Sequence, residues 1–319
     1  MQFVSEDVAV RVVSVTDAIE TIEDMFREHG RGEAKVFPVV LGHGPDSGTL
    51  FSMKSGLMQS RRVVGLKVGS YWPNNRSHGL KAHASTTLLL NPETGYPKAL
   101  VAASHLTALR TAASDAVAVH QLARANSRTL TVLGAGHQAW FEVLVIREVR
   151  SIDRVLIVNR SQNAAETLAR RVRDELGLDA VATEVKEAVA AADIIVSATA
   201  ARGPLFEAGW VRPGTHISAM GADAEGKQEL DPALVASAIL FADVVSQSIT
   251  MGEYETAFKA GLIDESRITP IGAVLNGATG RISDDQVTIF DSSGMALQDI
   301  AICSLALEKA VELGLVRDV

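Results

Sequence analysis

The stretch Thr129-Leu130-Thr131-Val132-Leu133-Gly134-Ala135-Gly136-His137-Gln138-Ala139 decides the fold. Its first five residues are a short apolar run of the kind that makes a buried strand. Gly134 permits a tight turn, Gly136 lets the backbone approach a pyrophosphate, and Ala139 is small enough for close helix–strand packing. A phosphate would rest on the N-terminus of the following helix, where free N–H groups and the helix dipole favour an anion. A glycine turn that merely packs is the alternative. Against it stand the strand before the glycines, the helix after them and a second strand at the right distance. That second strand ends at Val158-Asn159-Arg160-Ser161, with Asn159 standing 23 residues after Gly136. An NAD site usually has Asp or Glu there, on the ribose 2′-hydroxyl. Arg160 offers instead a planar fork for a 2′-phosphate, and no carboxylate repels it. This favours NADP(H), and leaves NAD(H) possible if Arg160 is a solvated surface charge. Ser197 and Thr199, at the end of a later strand, are candidates for the cofactor groove.

Outward from the glycines, strands are expected at 129–133, 154–158, 180–185, 193–198, 216–220, 239–244 and 287–290. Helices are expected at 139–149, 163–176, 186–191 and 231–237, and a last one at 296–313. Asp231-Pro232 fits an N-cap followed by proline at the first helical position. This alternation implies a parallel sheet covered on both faces. The first hundred residues have another texture. Ser14-Val15-Thr16-Asp17 looks like a capping box, opening a helix with Val15, Ala18, Ile19, Ile22, Met25 and Phe26 on one face. Gly30 and Gly32 stop it. Residues 36–41, 49–53, 63–68 and 85–90 are strand-like, and Asn91 to Pro97 reads as a hairpin loop. One helix on an antiparallel sheet is the expectation, followed by an Ala-rich helix at 106–125.

The chain has 319 residues, a length that suggests two domains. It is 47% hydrophobic, a globular rather than disordered composition. Lys and Arg number 30 against 38 Asp and Glu, and the net charge of −8 disfavours nucleic acid and anionic membrane as partners. Cys303 is the only cysteine, so there is no intrachain disulfide and no thiolate metal site is expected. Its apolar surroundings suit a small buried hydrophobe. The first residues show neither the basic nor the apolar region of a secretory signal. No apolar stretch approaches the roughly 20 residues of a membrane span. A cytoplasmic protein is the expectation.

Candidate substrate residues are fewer. Lys67 interrupts the apolar strand Gly65-Leu66-Lys67-Val68-Gly69, where a buried ammonium with a lowered pKa would bind a carboxylate or move a proton. An exposed strand lysine is the alternative. Arg110 stands in Leu106-Thr107-Ala108-Leu109-Arg110-Thr111-Ala112-Ala113, as a carboxylate fork or a structural ion pair. Asp223 follows the strand at 216–220, and reaction sites of open parallel sheets lie at the carboxyl ends of strands. It is placed for acid–base work, whereas Glu225 and Lys227 read as solvated. Tyr71-Trp72-Pro73-Asn74-Asn75-Arg76-Ser77-His78 is a polar loop, followed by His83, Ser85 and Thr86, and binding residues concentrate on such loops.

The order of motifs is recognisable. Gly65-Leu66-Lys67, the run from Leu106 to Ala113, Gly134 to Ala139, Gly221-Ala222-Asp223 with Lys227-Gln228-Glu229-Leu230-Asp231, and Asp291-Ser292-Ser293-Gly294 with Leu297-Gln298-Asp299 together resemble the ornithine cyclodeaminase/μ-crystallin family. The resemblance spans nearly the whole chain. It implies an α/β chain in which a Rossmann dinucleotide-binding domain, 120–295, is inserted in an α+β substrate and dimerisation domain, 1–119 with 296–319 returning to it. It also implies a homodimer. Carried over, Lys67 and Arg110 would hold an α-carboxylate, Asp223 would face an imine nitrogen, and Thr86 would line the site near the nicotinamide. Lys67 and Asp223 are thus the catalytic candidates. Tyr71, Asn74 and His83 join the substrate side. Thr111, Gly134, Gly136, His137, Gln138, Asn159, Arg160, Ser197, Thr199 and Met220 form the cofactor side.

Within the family, Tyr71-Trp72-Pro73-Asn74-Asn75 with His78, His83-Ala84-Ser85-Thr86 and Ala219-Met220-Gly221 look most like bacterial iminosuccinate reductases, which reduce the imine of oxaloacetate to L-aspartate. The implied function is NAD(P)H-dependent reduction of a small 2-imino acid to an L-amino acid. There is one departure. The family often has an Arg in the early strand, and Phe37-Pro38-Val39-Val40-Leu41 has none. A second substrate carboxylate would then need His78, His83, Arg76 or a backbone donor. A cyclic ketimine reductase, a cyclodeaminase and a μ-crystallin-like NADPH-binding protein are the competing readings. The cyclodeaminase would need an acidic partner for a terminal ammonium, and only Asp223 offers itself.

Overall fold

The computed structural model describes residues 1–319 apart from the side chain of Arg76. The chain divides into two units, Met1–Arg110 with Met295–Val319, and Thr111–Gly294. The first limit falls inside a helix, earlier than residue 119. In chain order come β1 (Gln2–Val4), α1 (Glu6–Val12), α2 (Val15–Gly30), β2 (Ala34–Val36), β3 (Val40–His43), β4 (Leu50–Met58), β5 (Val63–Tyr71), β6 (His83–Leu90), β7 (Pro97–Ala102) and α3 (Ser104–Leu122). The second unit continues with β8 (Thr129–Leu133), α4 (His137–Ile146), β9 (Arg154–Val158), α5 (Gln162–Leu176), β10 (Asp179–Ala182), α6 (Val185–Ala191), β11 (Ile194–Ser197), β12 (His216–Ala219), α7 (Pro232–Ser237), β13 (Ile239–Ala242), α8 (Val245–Ser248), α9 (Glu255–Lys259), β14 (Ile268–Pro270), α10 (Ile271–Leu275) and β15 (Thr288–Asp291). The chain then returns to the first unit with α11 (Ala296–Glu312) and β16 (Arg317–Asp318).

In the first unit the sheet order is β16-β1-β7-β6-β5-β4-β2, with β3 also on β4. It is mixed rather than purely antiparallel, because β1 joins β7 in parallel. The capping box is present at α2: the Ser14 hydroxyl accepts from the Asp17 N–H and the Asp17 carboxylate from the Ser14 N–H. A second N-terminal helix, α1, precedes it. The single strand expected at 36–41 is split into β2 and β3 around Pro38, which has no N–H to give a ladder. The strand expected at 49–53 runs on to Met58. α11 lies on β4, β5 and β6. Its approach depends on Gly56 of β4, where a Cβ would come within 2.9 Å of a Leu297 methyl.

The second unit is an eight-stranded sheet in the order β10-β9-β8-β11-β12-β15-β13-β14. Every pairing in it is parallel. β11, β12 and β15 are buried along their whole length, as a sheet covered on both faces requires. The strand order reverses at β8, between β9 and β11, and ligands of such sheets bind at the carboxyl ends there. Among the described residues no helix is long and apolar enough to cross a membrane.

Candidate active site

The glycine turn has the geometry its sequence demands. Gly134 has φ +117°, and a Cβ on it would lie 2.9 Å from the Ala198 carbonyl oxygen. Its N–H donates to Val158 O at 2.8 Å, so the turn is held against the ends of both neighbouring strands. Gly136 is the N-cap of α4 and carries no side-chain cap. Nothing lies within 4 Å of where its Cβ would be. The backbone at Gly136 is therefore open to close approach, which fits a pyrophosphate at the N-terminus of α4. Ala139 is fully buried and His137 is exposed, while Gln138 donates to Glu142 at 2.7 Å. Beside the turn is a cavity of about 310 Å³ whose lining includes Gly136, His137, Trp140, Thr167 and Arg171. Asn159 donates to Ser161 O at 3.2 Å next to an exposed Arg160, and Thr111 is half-buried.

At the ends of β11 and β12, sequence reasoning missed the residue that organises the loops. Glu229 is fully buried. It accepts from the Ser197 hydroxyl (2.8 Å), the Thr199 N–H (2.8 Å) and hydroxyl (2.7 Å), and the Gly221 N–H (3.0 Å). Burial raises its pKa against those hydrogen bonds. Ser197 is wholly buried and its hydroxyl donates to Glu229, so it anchors the loop. Met220 is also buried. Asp223 is exposed and ion-paired with Lys227. Lys227, expected to be solvated, also donates to Gly221 O at 3.3 Å and so closes this loop.

In the first unit Lys67 is buried, not an exposed strand lysine. It shares its sheet face with Gly65 and Gly69, the face α11 covers. Its Nζ lies 2.8 Å from Asp299 Oδ2. Arg110 donates through Nε to Asp299 Oδ1 at 2.9 Å and through Nη1 to Gln298 Oε1 at 2.5 Å. Burial and the Arg110 and Lys54 charges push the Lys67 pKa down to about 8, against the pull of Asp299. Burial would raise the Asp299 carboxyl, but Arg110 and Lys67 hold it below its usual range. Asp299 and Gln298 are adjacent buried polar residues in the first turn of α11. Cys303, further along α11, is buried and its thiol pushed up to about 12, so it is inert.

The remaining substrate candidates are less united. Tyr71 and His83 pair across β5 and β6, with ring centroids 5.9 Å apart, on the same sheet face as Lys67 but at the far end of the strand. Asn74 and His78 are exposed on a short 3-10 turn. The Arg76 side chain lies outside the described residues. Thr86 is corrected: it pairs with Val68 and so points to the face opposite Lys67, whose partner is the buried Thr87.

The sequence model of the ornithine cyclodeaminase/mu-crystallin family matches residues 2–314. The iminosuccinate reductase of Paracoccus denitrificans is 41% identical over 322 residues, covering 100% of this chain and 99% of the relative. Its crystal structure in complex with NAD+ matches with a TM-score of 0.95 at 40% identity, again over 100% and 99% of the two chains. The Thermococcus litoralis Delta(1)-pyrroline-2-carboxylate reductase, solved with NADH and L-proline, matches with a TM-score of 0.95 at 30% identity over 100% of both chains. An archaeal alanine dehydrogenase dimer with bound NAD gives 0.93 at 32% identity, over 98% of this chain and 97% of that one. A match from Gln2 to Gly314, joined by full-length likeness to three such enzymes, means that this chain belongs to the ornithine cyclodeaminase/mu-crystallin family.

Proposed function

We propose that the protein is an NAD(P)H-dependent imine reductase that makes an L-amino acid from a 2-imino acid, with iminosuccinate to L-aspartate as its reaction. The observation that carries this is the buried Lys67–Asp299–Arg110 cluster, whose two cations exceed its one carboxylate. Arg110 and Lys67 hold the substrate α-carboxylate, and Asp299 fixes both donors so that little ordering is left for binding. Asp223 handles the proton on the imine nitrogen, together with Lys67, once Asp223 leaves its pair with Lys227. Gly134, Gly136 and the first N–H groups of α4 hold the pyrophosphate, and Thr199 and Met220 flank the cofactor. When bound, the reduced nicotinamide supplies the hydride. Asn159 and Arg160 present no carboxylate to the ribose, which favours NADP(H), and relatives solved with NAD+ or NADH support use of NAD(H) as well. The protein acts in the cytoplasm, in keeping with its single buried thiol, and as a homodimer. Val40, Met53 and Val68 form one exposed apolar row across β3, β4 and β5 in support of self-association.

Mixing the protein with NADPH or NADH, ammonium and a panel of 2-oxo acids, and following reduced-nicotinamide absorbance, tests this. Fast oxidation with oxaloacetate is expected. Oxidation only with pyrroline or piperideine carboxylates would move the reaction to cyclic ketimines, a reading favoured by the likeness to the T. litoralis enzyme. Ammonia release from ornithine would make it a cyclodeaminase, and cofactor binding without turnover a binding protein. Asp223→Ala is expected to lower kcat by about 10²–10⁴-fold and KM far less. Small, equal effects on both would remove Asp223 from the mechanism.

A further inference from the structure

Lys54 is a second lysine in the Lys67 environment, and no expectation drawn from the sequence included it. The β4–β5 register sets Lys54 directly opposite Lys67. Directly opposed residues share a sheet face, with Cβ atoms about 5 Å apart, and like charges there are destabilising. Such a pair calls for a reason. Lys54 acts on both neighbours: its charge helps to hold Asp299 ionised and to push Lys67 down. Gly69, two residues past Lys67 on the same face, leaves room, since the nearest atoms to its missing Cβ are Ser52 Oγ at 3.7 Å and Lys67 Cε at 3.9 Å. Lys54 thus adds a third cation to the surroundings of Asp299, beside Lys67 and Arg110. A dicarboxylate offers these cations one more carboxylate than a monocarboxylate does. The cation missing from residues 37–41 is thereby replaced from β4, the strand that pairs with β3.

We propose that Lys54 binds the second carboxylate of a dicarboxylic 2-imino acid and so sets substrate specificity. The two carboxylates of iminosuccinate are separated by two carbons, and the two ammonium groups spring from opposed residues, so one small dianion spans them. This inference rests on the imine-reductase reading above.

The experiment compares the wild type with Lys54→Met and Lys54→Arg in two readouts. Turnover is measured with NADH, ammonium and either oxaloacetate or pyruvate. Binding of succinate and of propionate to the NADH-loaded protein is measured by calorimetry. Lys54→Met is expected to raise KM for the oxaloacetate imine about ten-fold or more, a clearly larger factor than for the pyruvate imine, and to abolish any advantage of succinate over propionate. Lys54→Arg is expected to keep all three. An equal loss with both substrates, or a succinate advantage that survives in Lys54→Met or is absent from the wild type, overturns the role of Lys54. If the wild type reduces no oxaloacetate imine but prefers succinate through Lys54, the reaction assigned above falls and Lys54 stands. If it reduces oxaloacetate and the succinate preference ignores Lys54, the reverse holds.

Discussion

Each unit buries a cluster of ionisable groups, and the two clusters solve the burial problem in opposite ways. In the first unit, Lys67, Arg110 and Asp299 are each no more than 6% exposed. Opposite charges offset the loss of water there, so Asp299 stays ionised and positive charge is left over. In the second unit, Glu229, Glu253, Asp243 and Asp291 are each no more than 2% exposed, and all are acids. Backbone N–H groups and hydroxyls supply the compensation for Glu229, Glu253 and Asp243 instead. Asp243 accepts from the Ser292 hydroxyl at 2.8 Å and the Gly294 N–H at 2.9 Å. Glu253 accepts from the N–H groups of Glu229 and Leu230. Burial, with like charge added, raises Glu253 and Asp291 well above the usual carboxylate range. A cluster with unbalanced charge is suited to hold an ionic ligand. A cluster of acids that accept from backbone N–H groups and hydroxyls is suited to hold loops.

The sharpest way to break this contrast is Asp299→Asn. It leaves Lys67 and Arg110 buried without their carboxylate, and losing one partner of a buried ion pair costs about 3–5 kcal/mol. Urea unfolding is the measurement. A loss below about 1 kcal/mol would mean that the cations relax to water and that the cluster is not preorganised.

A tenfold-scale effect is expected from pH. Lys67 titrates at about 8 in the fold against 10.5 ordinarily. Below pH 8 folded and unfolded chains both hold its proton. Between about 8 and 10.5 only the unfolded chain does, so this residue's contribution to stability rises with pH across that window. Substrate binding moves the other way, because the cation that receives the carboxylate is lost. KM for the imino acid is expected to rise above pH 8, by up to about ten-fold per pH unit. Lys67→Arg should flatten the profile, since guanidinium stays charged. A wild-type KM that is flat up to about pH 9.5 would show that Lys67 does not carry substrate binding.

The same contrast explains what could be read in the sequence. The glycine turn was legible because Gly134 and Gly136 are local requirements of one short segment. Lys67 and Arg110 were legible as charges out of place in apolar runs, but their partner was not, because Asp299 is 189 residues beyond Arg110 in the chain. Lys54 was hidden by a boundary: a strand ended at Met53 leaves it in a turn, whereas β4 carries it on to face Lys67. The face on which Thr86 lies could not be read from the sequence, because pairing register, not local pattern, decides which way a strand residue points. The partner of Ser197 was not legible either, because Glu229 reaches its hydroxyl from a loop beyond β12.

The smallest expected effect is the most discriminating. Glu253→Gln makes the same carboxylate-to-amide change as Asp299→Asn, in the other cluster. A glutamine keeps one side-chain oxygen, enough for the Leu230 N–H (2.7 Å) and Glu229 N–H (3.0 Å) that Glu253 Oε1 now accepts. It also removes the possibility of a second negative charge beside Glu229. The substitution is therefore expected to leave stability within about 1 kcal/mol of wild type near neutral pH. The pH dependence fixes the interpretation. A carboxyl raised in the fold binds its proton more tightly there than in the unfolded chain. Its contribution to wild-type stability is full below the ordinary value of 4.5 and declines as pH rises toward the raised value. The glutamine variant lacks this decline, so its stability relative to wild type should improve as pH increases from about 4.5. A loss of about 3 kcal/mol or more, worsening with pH, would mean that Glu253 is ionised in the fold and that both clusters rest on charge after all.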